Sequence, residues 1–213
     1  MGVRRVKNSG GNVIGTFPSL KMREQVPYES TLERDLLFFL EYDTSVVRYQ
    51  AQPFLITGSS ADGNAHTYIP DFQVIRTGGK EIVECKKTAH LNEAHTRQQL
   101  ALGQAWADTN QHLFVLITDT DLRAGHRLAN LKLLWRYSRL SVSVRLIEQC
   151  RSFFAAQPRD TSLAALAAFL SGQESSFTQF PALYSLLFQH VLQADLTAPL
   201  EPSTRVWLPS SVL

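Results

Sequence analysis

An aspartate, a glutamate and a lysine occur at a spacing that could hold a divalent cation. Asp71 opens the run P-D-F-Q-V-I, and after a Gly-Gly turn the run E-I-V-E-C-K carries Glu84 and Lys86. Alternate side chains of an extended strand share a face, so Glu84 and Lys86 should point the same way and Cys85 should point away. Hairpin pairing of the two runs would bring Asp71 to that face. Two carboxylates could then bind a hard cation such as Mg²⁺, while the ammonium group serves a phosphate or an attacking water.

A further carboxylate could come from the helix that the sequence predicts before this hairpin. The pattern from residue 28 to residue 40 predicts a helix with Ser30 as its N-cap and an apolar stripe along one side. The stripe consists of Leu32, Leu36, Leu37 and Leu40. Glu33 would lie beside the stripe, where a buried carboxylate needs a partner such as a metal ion, although a capping role explains it equally well. The spacing leaves the choice between Glu29 and Glu33 open.

The elements predicted around the motif alternate between strands and helices. Strands are predicted at Val46–Tyr49, Phe54–Ile56, Tyr68–Arg76, Glu81–Lys86 and Leu113–Thr118, and further helices at Glu93–Asp108 and Leu128–Tyr137. The run from Leu113 to Thr118 is continuously apolar, which is typical of a strand buried on both faces of a sheet. The motif hairpin would therefore lie in an α/β domain, with one helix before it and another after it.

Composition limits the class of protein. The chain has 213 residues, 44% of them hydrophobic, and a formal net charge of only +2, which suits one domain with a smaller companion and excludes a protein that coats nucleic acid. The two cysteines form neither a zinc motif nor a disulfide framework, and no apolar run approaches the roughly 20 residues that cross a membrane, so a cytoplasmic protein is expected. The G-x-S-x-G and P-loop motifs are both absent, which argues against a serine hydrolase and an NTPase.

The sequence predicts three regions. Residues 1–24 are basic and read as a flexible tail, residues 25–140 form the catalytic domain, and residues 141–213 form a smaller helical domain. In the last region, helices at Leu163–Leu170 and Ala182–Ala194 followed by a strand at Thr204–Leu208 are consistent with a winged-helix module. Its four basic residues against five acidic ones predict a domain that docks protein rather than DNA.

The stretch from about Glu29 to Thr118 resembles the TnsA family, the restriction-endonuclease-like, PD-(D/E)xK subunits of heteromeric cut-and-paste transposases. The resemblance is carried by S-T-L-E-R-D-L-L-F-F-L-E-Y-D-T-S-V, Y-I-P-D-F-Q-V, I-V-E-C-K and L-F-V-L-I-T-D. It implies a mixed central sheet flanked by helices, with a winged-helix-like C-terminal domain. The family's helix glutamate falls on Glu33 and its other catalytic positions on Asp71, Glu84 and Lys86. Glu33, Asp71, Glu84 and the Cys85 carbonyl would bind Mg²⁺ or Mn²⁺.

The resemblance also implies a function and partners. TnsA proteins are metal-dependent endonucleases that cut the non-transferred strand at the 5′ ends of a transposon, so double-stranded transposon-end DNA is the expected substrate. A DDE transposase, TnsB, cuts and joins the 3′ ends, and an AAA+ regulator, TnsC, bridges to a target selector that is a CRISPR effector complex in some elements. Two alternatives stay open: a stand-alone restriction-like or junction-resolving nuclease of the same fold, and a non-catalytic module that binds DNA or a partner.

Overall fold

The chain divides into two structural units, the first ending at Ala124 and the second beginning at Gly125. The computed structural model describes residues 13–59, 65–156, 161–172 and 176–209. In the first unit the strands are β1 (Gly15–Pro18), β2 (Gln25–Tyr28), β3 (Val46–Ala51), β4 (Ile56–Ser59), β5 (Ala65–Tyr68), β6 (Phe72–Arg76), β7 (Gly79–Lys86) and β8 (Leu113–Thr118). Its helices are α1 (Thr31–Tyr42), α2 (Ala94–Thr109) and α3 (Asp119–Arg123), with a 3-10 turn at Thr88–His90.

The central sheet of the first unit is mixed. Its strands follow the order β3-β6-β7-β8, in which β6 is antiparallel to both β3 and β7, while β7 and β8 are parallel. Parallel neighbours need a crossover, and α2 supplies it between β7 and β8. Helix α2 contacts both of these strands, and α1 contacts β3 and β7. The predicted α/β fold, a mixed central sheet flanked by helices, is confirmed.

Helix α1 forms where the sequence predicts it. The Ser30 hydroxyl accepts a hydrogen bond from the Glu33 amide at 3.1 Å, which satisfies one of the free amides of the first turn. The predicted leucine stripe is buried: Leu32, Leu36, Leu37 and Leu40 are each 5% exposed or less. These side chains fix the rotation of the helix about its axis, and with it the direction in which the first turn points.

The motif hairpin differs from its prediction at one end. Strands β6 and β7 pair antiparallel with Phe72 opposite Val83, as expected, but Tyr68 belongs to β5, which pairs with β4 instead. The chain between Tyr68 and Phe72 leaves the extended ladder at Pro70, which has no amide hydrogen to donate to a neighbouring strand. A single strand from Tyr68 to Arg76 is therefore wrong, and Asp71 lies immediately before β6.

The prediction that Leu113–Thr118 is buried on both faces is also wrong. Strand β8 forms at these residues, but it stands at the end of the strand order in the described part of the sheet. Leu113 is 61% exposed, and Thr118 is the one residue of the strand that counts as buried. An apolar run indicates a strand but does not tell a central position from a terminal one.

The N-terminal tail prediction needs correction for the residues that the structure describes. Strands β1 and β2 form an antiparallel hairpin, with Phe17 and Val26 each 3% exposed. The Phe17 ring packs edge-on against Phe38 of α1 at 5.1 Å between centroids. Residues 13–24 are thus part of the first unit because they bury apolar surface, while residues 1–12 of the predicted tail lie outside the described residues.

A buried glutamate ties this hairpin to α1. Glu41 is 4% exposed and accepts hydrogen bonds from the Ser19 hydroxyl at 2.5 Å and the Tyr49 hydroxyl at 2.6 Å. It also accepts bonds from the backbone amides of Leu20 and Lys21 at 3.2 and 3.3 Å. A buried carboxylate is tolerated when donors surround it in this way. We call Glu41, Ser19 and Tyr49 the Glu41 cluster.

The second unit is built of helices and a small antiparallel sheet. Its elements are α4 (Arg127–Tyr137), α5 (Val144–Ala156), β9 (Thr161–Ser162), α6 (Leu163–Ser171), α7 (Phe180–Phe188), β10 (Gln193–Ala194) and β11 (Arg205–Trp207), with strand order β10-β11-β9. The helix predicted from Leu163 and the strand predicted near Thr204 are confirmed. The helix predicted from Ala182 to Ala194 is too long, because α7 ends at Phe188 and Gln193 pairs with Trp207 in a strand. Among the described residues, no helix is both long and apolar enough to span a bilayer.

The division between the units falls earlier in the chain than the predicted boundary after residue 140. Helix α4 packs on α7 in the second unit, with Trp135 against Phe188 at 5.6 Å and Tyr137 against Tyr184 at 5.4 Å between ring centroids. From residue 125 onward the sequence holds eight basic residues against five acidic ones. The acidic balance inferred for residues 141–213 therefore does not describe the second unit, because α4 and the residues after it contribute positive charge.

Candidate active site

Asp71 and Glu84 lie side by side at the point where β6 begins. Phe72 stands opposite Val83, so the next residues outward on the two strands are Asp71 and Glu84. The Asp71 carboxylate accepts a hydrogen bond from the Cys85 amide at 2.7 Å, and the Asp71 amide lies 3.4 Å from Glu84 Oε2. Asp71 keeps some exposed surface, although protein atoms closely surround its carboxylate.

Lys86 shares the face of Glu84, as alternation along β7 requires. Its Nζ lies 2.7 Å from Glu84 Oε1, and the two side chains are 25% and 2% exposed. Burial alone would lower the pKa of Lys86, but the charge and hydrogen bond of Glu84, together with the charge of Asp71, raise that pKa above its ordinary value. The lysine is therefore an ammonium ion at neutral pH, with part of its surface open to solvent.

Glu33 reaches the same region from α1. It is 7% exposed, and its Oε2 accepts a hydrogen bond from the Glu29 amide at 2.8 Å. Burial raises the pKa of Glu33, and the negative charges of Glu29 and Glu84 raise it further. Of the two glutamates that the sequence left open, Glu33 thus interacts electrostatically with Glu84, whereas Glu29 contributes its backbone amide.

The carboxylates oppose one another's ionisation. Burial raises the pKa of Asp71 well above its ordinary value, and the charges of Glu84 and Glu33 raise it further. The Cys85 amide and the Lys86 ammonium act in the other direction but do not reverse the shift. A bound cation would remove this repulsion, so the arrangement favours cation binding.

Tyr68 is a member of the site that the sequence interpretation missed. It is 3% exposed, and its hydroxyl donates a hydrogen bond of 2.5 Å to Glu84 Oε2. Burial raises the pKa of Tyr68, and the adjacent Glu84 charge raises it further, so the hydroxyl remains a donor. The signal was present in Y-I-P-D: a tyrosine at the end of a strand, three residues before the aspartate, must find a partner for its hydroxyl when it is buried.

Helix α3 links the elements that carry these residues. Asp119 accepts hydrogen bonds from the Thr88 amide at 2.7 Å and the Thr88 hydroxyl at 2.8 Å, just beyond Lys86 on β7. At the other end of α3, Arg123 donates to Asp35 at 2.8 Å and to Thr31 at 3.0 Å on α1. Helix α3 thus connects the end of β7 with the first turns of α1, where Glu33 lies.

The donor set limits how a metal ion could bind. Among the residues described, no group of three or more His, Cys, Asp or Glu side chains is arranged to hold one ion. Asp71 and Glu84 remain as adjacent carboxylates, and the Cys85 amide points to the Asp71 side of β7. Because the N–H and C=O of a residue in an extended strand point to the same side, we expect the Cys85 carbonyl there too. Two carboxylates with one carbonyl match the oxygen preference of Mg²⁺ and Mn²⁺.

The fold is consistent with that of a nuclease. It has a mixed sheet flanked by helices, with Asp71 just before β6 and Glu84 and Lys86 on the neighbouring strand β7. Residues 43–119 match the family model described as TnsA-like endonuclease N terminal. This segment therefore belongs to the TnsA-like endonuclease family, as the sequence predicts. The match contains Asp71, Glu84 and Lys86, whereas Glu33 precedes it and the second unit follows it. No match was found among curated proteins.

Proposed function

We propose that this protein is a metal-dependent DNA endonuclease that cuts the non-transferred strand at the 5′ ends of a transposon. The observation that carries the proposal is the pairing of Asp71 with Glu84, beside the Lys86 ammonium, inside a segment that matches a TnsA-like endonuclease family. A DDE transposase of the TnsB type and an AAA+ regulator of the TnsC type would be its partners, as the family implies.

Asp71, Glu84 and the Cys85 carbonyl would hold Mg²⁺ or Mn²⁺. All three donors are oxygen atoms, and the pKa of Asp71 is raised by burial and then by the negative charges of Glu84 and Glu33, which a cation would offset. A divalent cation bound there would supply Lewis-acid polarisation of the scissile phosphate. Glu33 would serve from α1 as a further ligand or as the group that orients the attacking water.

Lys86 would act through its charge. Its raised pKa keeps the ammonium protonated at neutral pH. Lys86 can therefore donate a hydrogen bond to a phosphate oxygen but cannot serve as a general base. Glu33, whose pKa burial raises, would accept a proton from the water that attacks phosphorus. A bond from the water oxygen to phosphorus would form as the bond from phosphorus to O3′ breaks, and O3′ would take a proton from solvent, leaving a 3′-hydroxyl and a 5′-phosphate.

The second unit would dock a partner. It holds helices and a small antiparallel sheet, which are compatible with the winged-helix-like domain that the family implies. The excess of basic residues from Gly125 onward leaves DNA contact open to this unit as well, so the assignment to TnsC or TnsB rests on the family resemblance. A protein truncated after Ala124 should keep its metal site and lose partner capture.

The test is cleavage of a strand-labelled transposon-end duplex in the presence of Mg²⁺. It would compare the protein alone, the protein with the transposase encoded beside it, and the Asp71→Asn variant, in which an amide oxygen can still accept from the Cys85 amide. Asp108→Asn, an exposed carboxylate on α2, is the matched control. The proposal predicts partner-dependent cutting of the 5′ strand, abolished by Asp71→Asn and unaffected by Asp108→Asn.

The other outcomes identify the alternatives. Cutting of naked DNA without a partner would indicate a stand-alone nuclease of the same fold. No cutting in any mixture, combined with no binding of Mn²⁺, would indicate a non-catalytic module that binds DNA or a partner.

A further inference from the structure

The Glu84 carboxylate is held from two sides. Its Oε2 accepts the 2.5 Å hydrogen bond from the Tyr68 hydroxyl and lies 3.4 Å from the Asp71 amide, while its Oε1 lies 2.7 Å from Lys86 Nζ. With a donor on each oxygen, the carboxylate plane has a defined orientation. Lys86 is partly exposed and on a flexible stem, so the buried tyrosine is the more rigid of the two restraints.

Tyr68 is itself firmly placed. Its backbone lies in β5 opposite Ile56, and its ring is 3% exposed. On α2, a Cβ built on Gly103 would lie 3.0 Å from Tyr68 Cε1 and 2.4 Å from Phe114 Cε2. The helix therefore approaches the ring closely because position 103 has no side chain, and this packing helps to hold the hydroxyl against Glu84.

We propose that Tyr68 is a positioning residue that fixes the Glu84 carboxylate for binding a divalent cation, an inference that rests on the proposed function. A neutral hydroxyl orients the carboxylate without cancelling its negative charge, and that charge is what attracts a cation. Loss of a hydrogen-bond partner of a metal ligand typically lowers metal affinity or activity by about 10- to 100-fold. The sequence motif then extends from P-D to Y-x-P-D, with the tyrosine acting through the glutamate.

The chain contains a matched control. Tyr49 is also 3% exposed and also donates to a buried glutamate, at 2.6 Å to Glu41, but that pair belongs to the Glu41 cluster. Titration of Mn²⁺ alone into the full-length protein, followed by electron paramagnetic resonance of the free ion, would compare wild type, Tyr68→Phe, Tyr49→Phe and Glu84→Gln. We expect Tyr68→Phe to bind Mn²⁺ about 10- to 100-fold more weakly and Tyr49→Phe to bind it as wild type does.

Two further variants test whether Tyr68 acts through the Glu84 carboxylate. In the Glu84→Gln background, Tyr68→Phe should cause no additional loss of Mn²⁺ affinity, since the tyrosine acts only through that carboxylate. Gly103→Ala, which displaces the ring but keeps the hydroxyl, should also weaken Mn²⁺ binding, and it replaces Tyr68→Phe if that variant does not fold.

The outcomes separate the inference from the function on which it rests. Wild-type affinity in both Tyr68→Phe and Gly103→Ala, with Mn²⁺ binding still dependent on Glu84, would overturn the tyrosine's role and leave the nuclease proposal standing. Equal weakening by Tyr49→Phe would also overturn it, because the effect would then follow from any lost buried hydrogen bond. Absence of Mn²⁺ binding by the wild-type protein would overturn both.

Discussion

Replacing Lys86 with methionine should destabilise the metal-free protein as well as stop cleavage. The methionine keeps an unbranched side chain of nearly the same length but leaves Glu84, which is 2% exposed, without its ammonium at 2.7 Å. The direct attraction at that distance is about 6 kcal/mol for an effective dielectric constant near 20, and the desolvation of both groups offsets most of it.

The expected loss follows from the exposure of the two side chains. Removing one partner of a fully buried ion pair costs roughly 3–5 kcal/mol, because the other charge stays buried without compensation. Water reaches Lys86, whose side chain is 25% exposed, and screens its attraction to Glu84. Lys86→Met should therefore lower the free energy of unfolding by about 2–3 kcal/mol. Glu84→Gln removes the charge itself, and in that background Lys86→Met should cost less than about 1 kcal/mol.

Urea unfolding of chelator-treated protein, followed by circular dichroism, would measure these differences. Lys87→Met is the matched control, because Lys87 is the next residue in the chain and is exposed, and it should change stability by no more than about 0.5 kcal/mol. If Lys86→Met were as stable as Lys87→Met, or if its effect were the same with and without the Glu84 charge, the electrostatic account of the site would be refuted.

Three further predictions concern the surroundings of the site. Because its pKa is raised, Asp71 binds a proton more tightly in the folded metal-free protein than in the unfolded chain, so its contribution to stability should fall as pH rises above about 4. In urea midpoints measured with chelator, Asp71→Asn should therefore gain stability relative to wild type as pH rises above about 4, and a difference that does not change with pH would contradict the shift. Tyr49→Phe, which removes one of several donors to Glu41, should cost about 1–2 kcal/mol in the same assay without lowering the cleavage rate, and a lower rate would contradict a purely structural role. Gly103→Ala places a Cβ 2.4 Å from the Phe114 ring and 3.0 Å from the Tyr68 ring, so overpacking of about 1–3 kcal/mol should exceed the helix-propensity gain of about 1 kcal/mol, and a net increase in stability would contradict the close approach.

The positions of Asp71, Glu84 and Lys86 could be anticipated because they depend on local geometry. Alternation along an extended strand places Glu84 and Lys86 on one face, and hairpin register then sets Asp71 opposite Glu84. The N-cap at Ser30 likewise follows from a spacing of three residues to Glu33. Each of these relations spans a single turn of helix or one hairpin, which is the range over which sequence spacing determines structure.

Relations that depend on distant segments could not be anticipated in this way. Lys21 was read as part of a solvated basic tail, yet its ammonium donates to the carbonyl oxygens of Asp43 and Val46, and burial lowers its pKa. A charge count does not tell a solvated lysine from one that bonds to backbone groups of another element. The division after Ala124 differs from the predicted boundary after residue 140 for the same reason, since α4 packs on α7 and no local pattern reports that contact.

The site combines charged carboxylates with neutral hydrogen-bond donors, and this combination has a physical consequence. The Tyr68 hydroxyl and the Cys85 amide orient Glu84 and Asp71 without adding positive charge, and Lys86 supplies a single ammonium that interacts with these two carboxylates. A cationic side chain in place of the Tyr68 hydroxyl would partly neutralise the acids in advance, and the gain in free energy on binding a cation would shrink accordingly. Burial and mutual repulsion both raise the pKa of Asp71 and Glu33 in the metal-free protein. A divalent cation would relieve the repulsion, while neutral hydrogen bonds keep Asp71 and Glu84 in place until it binds.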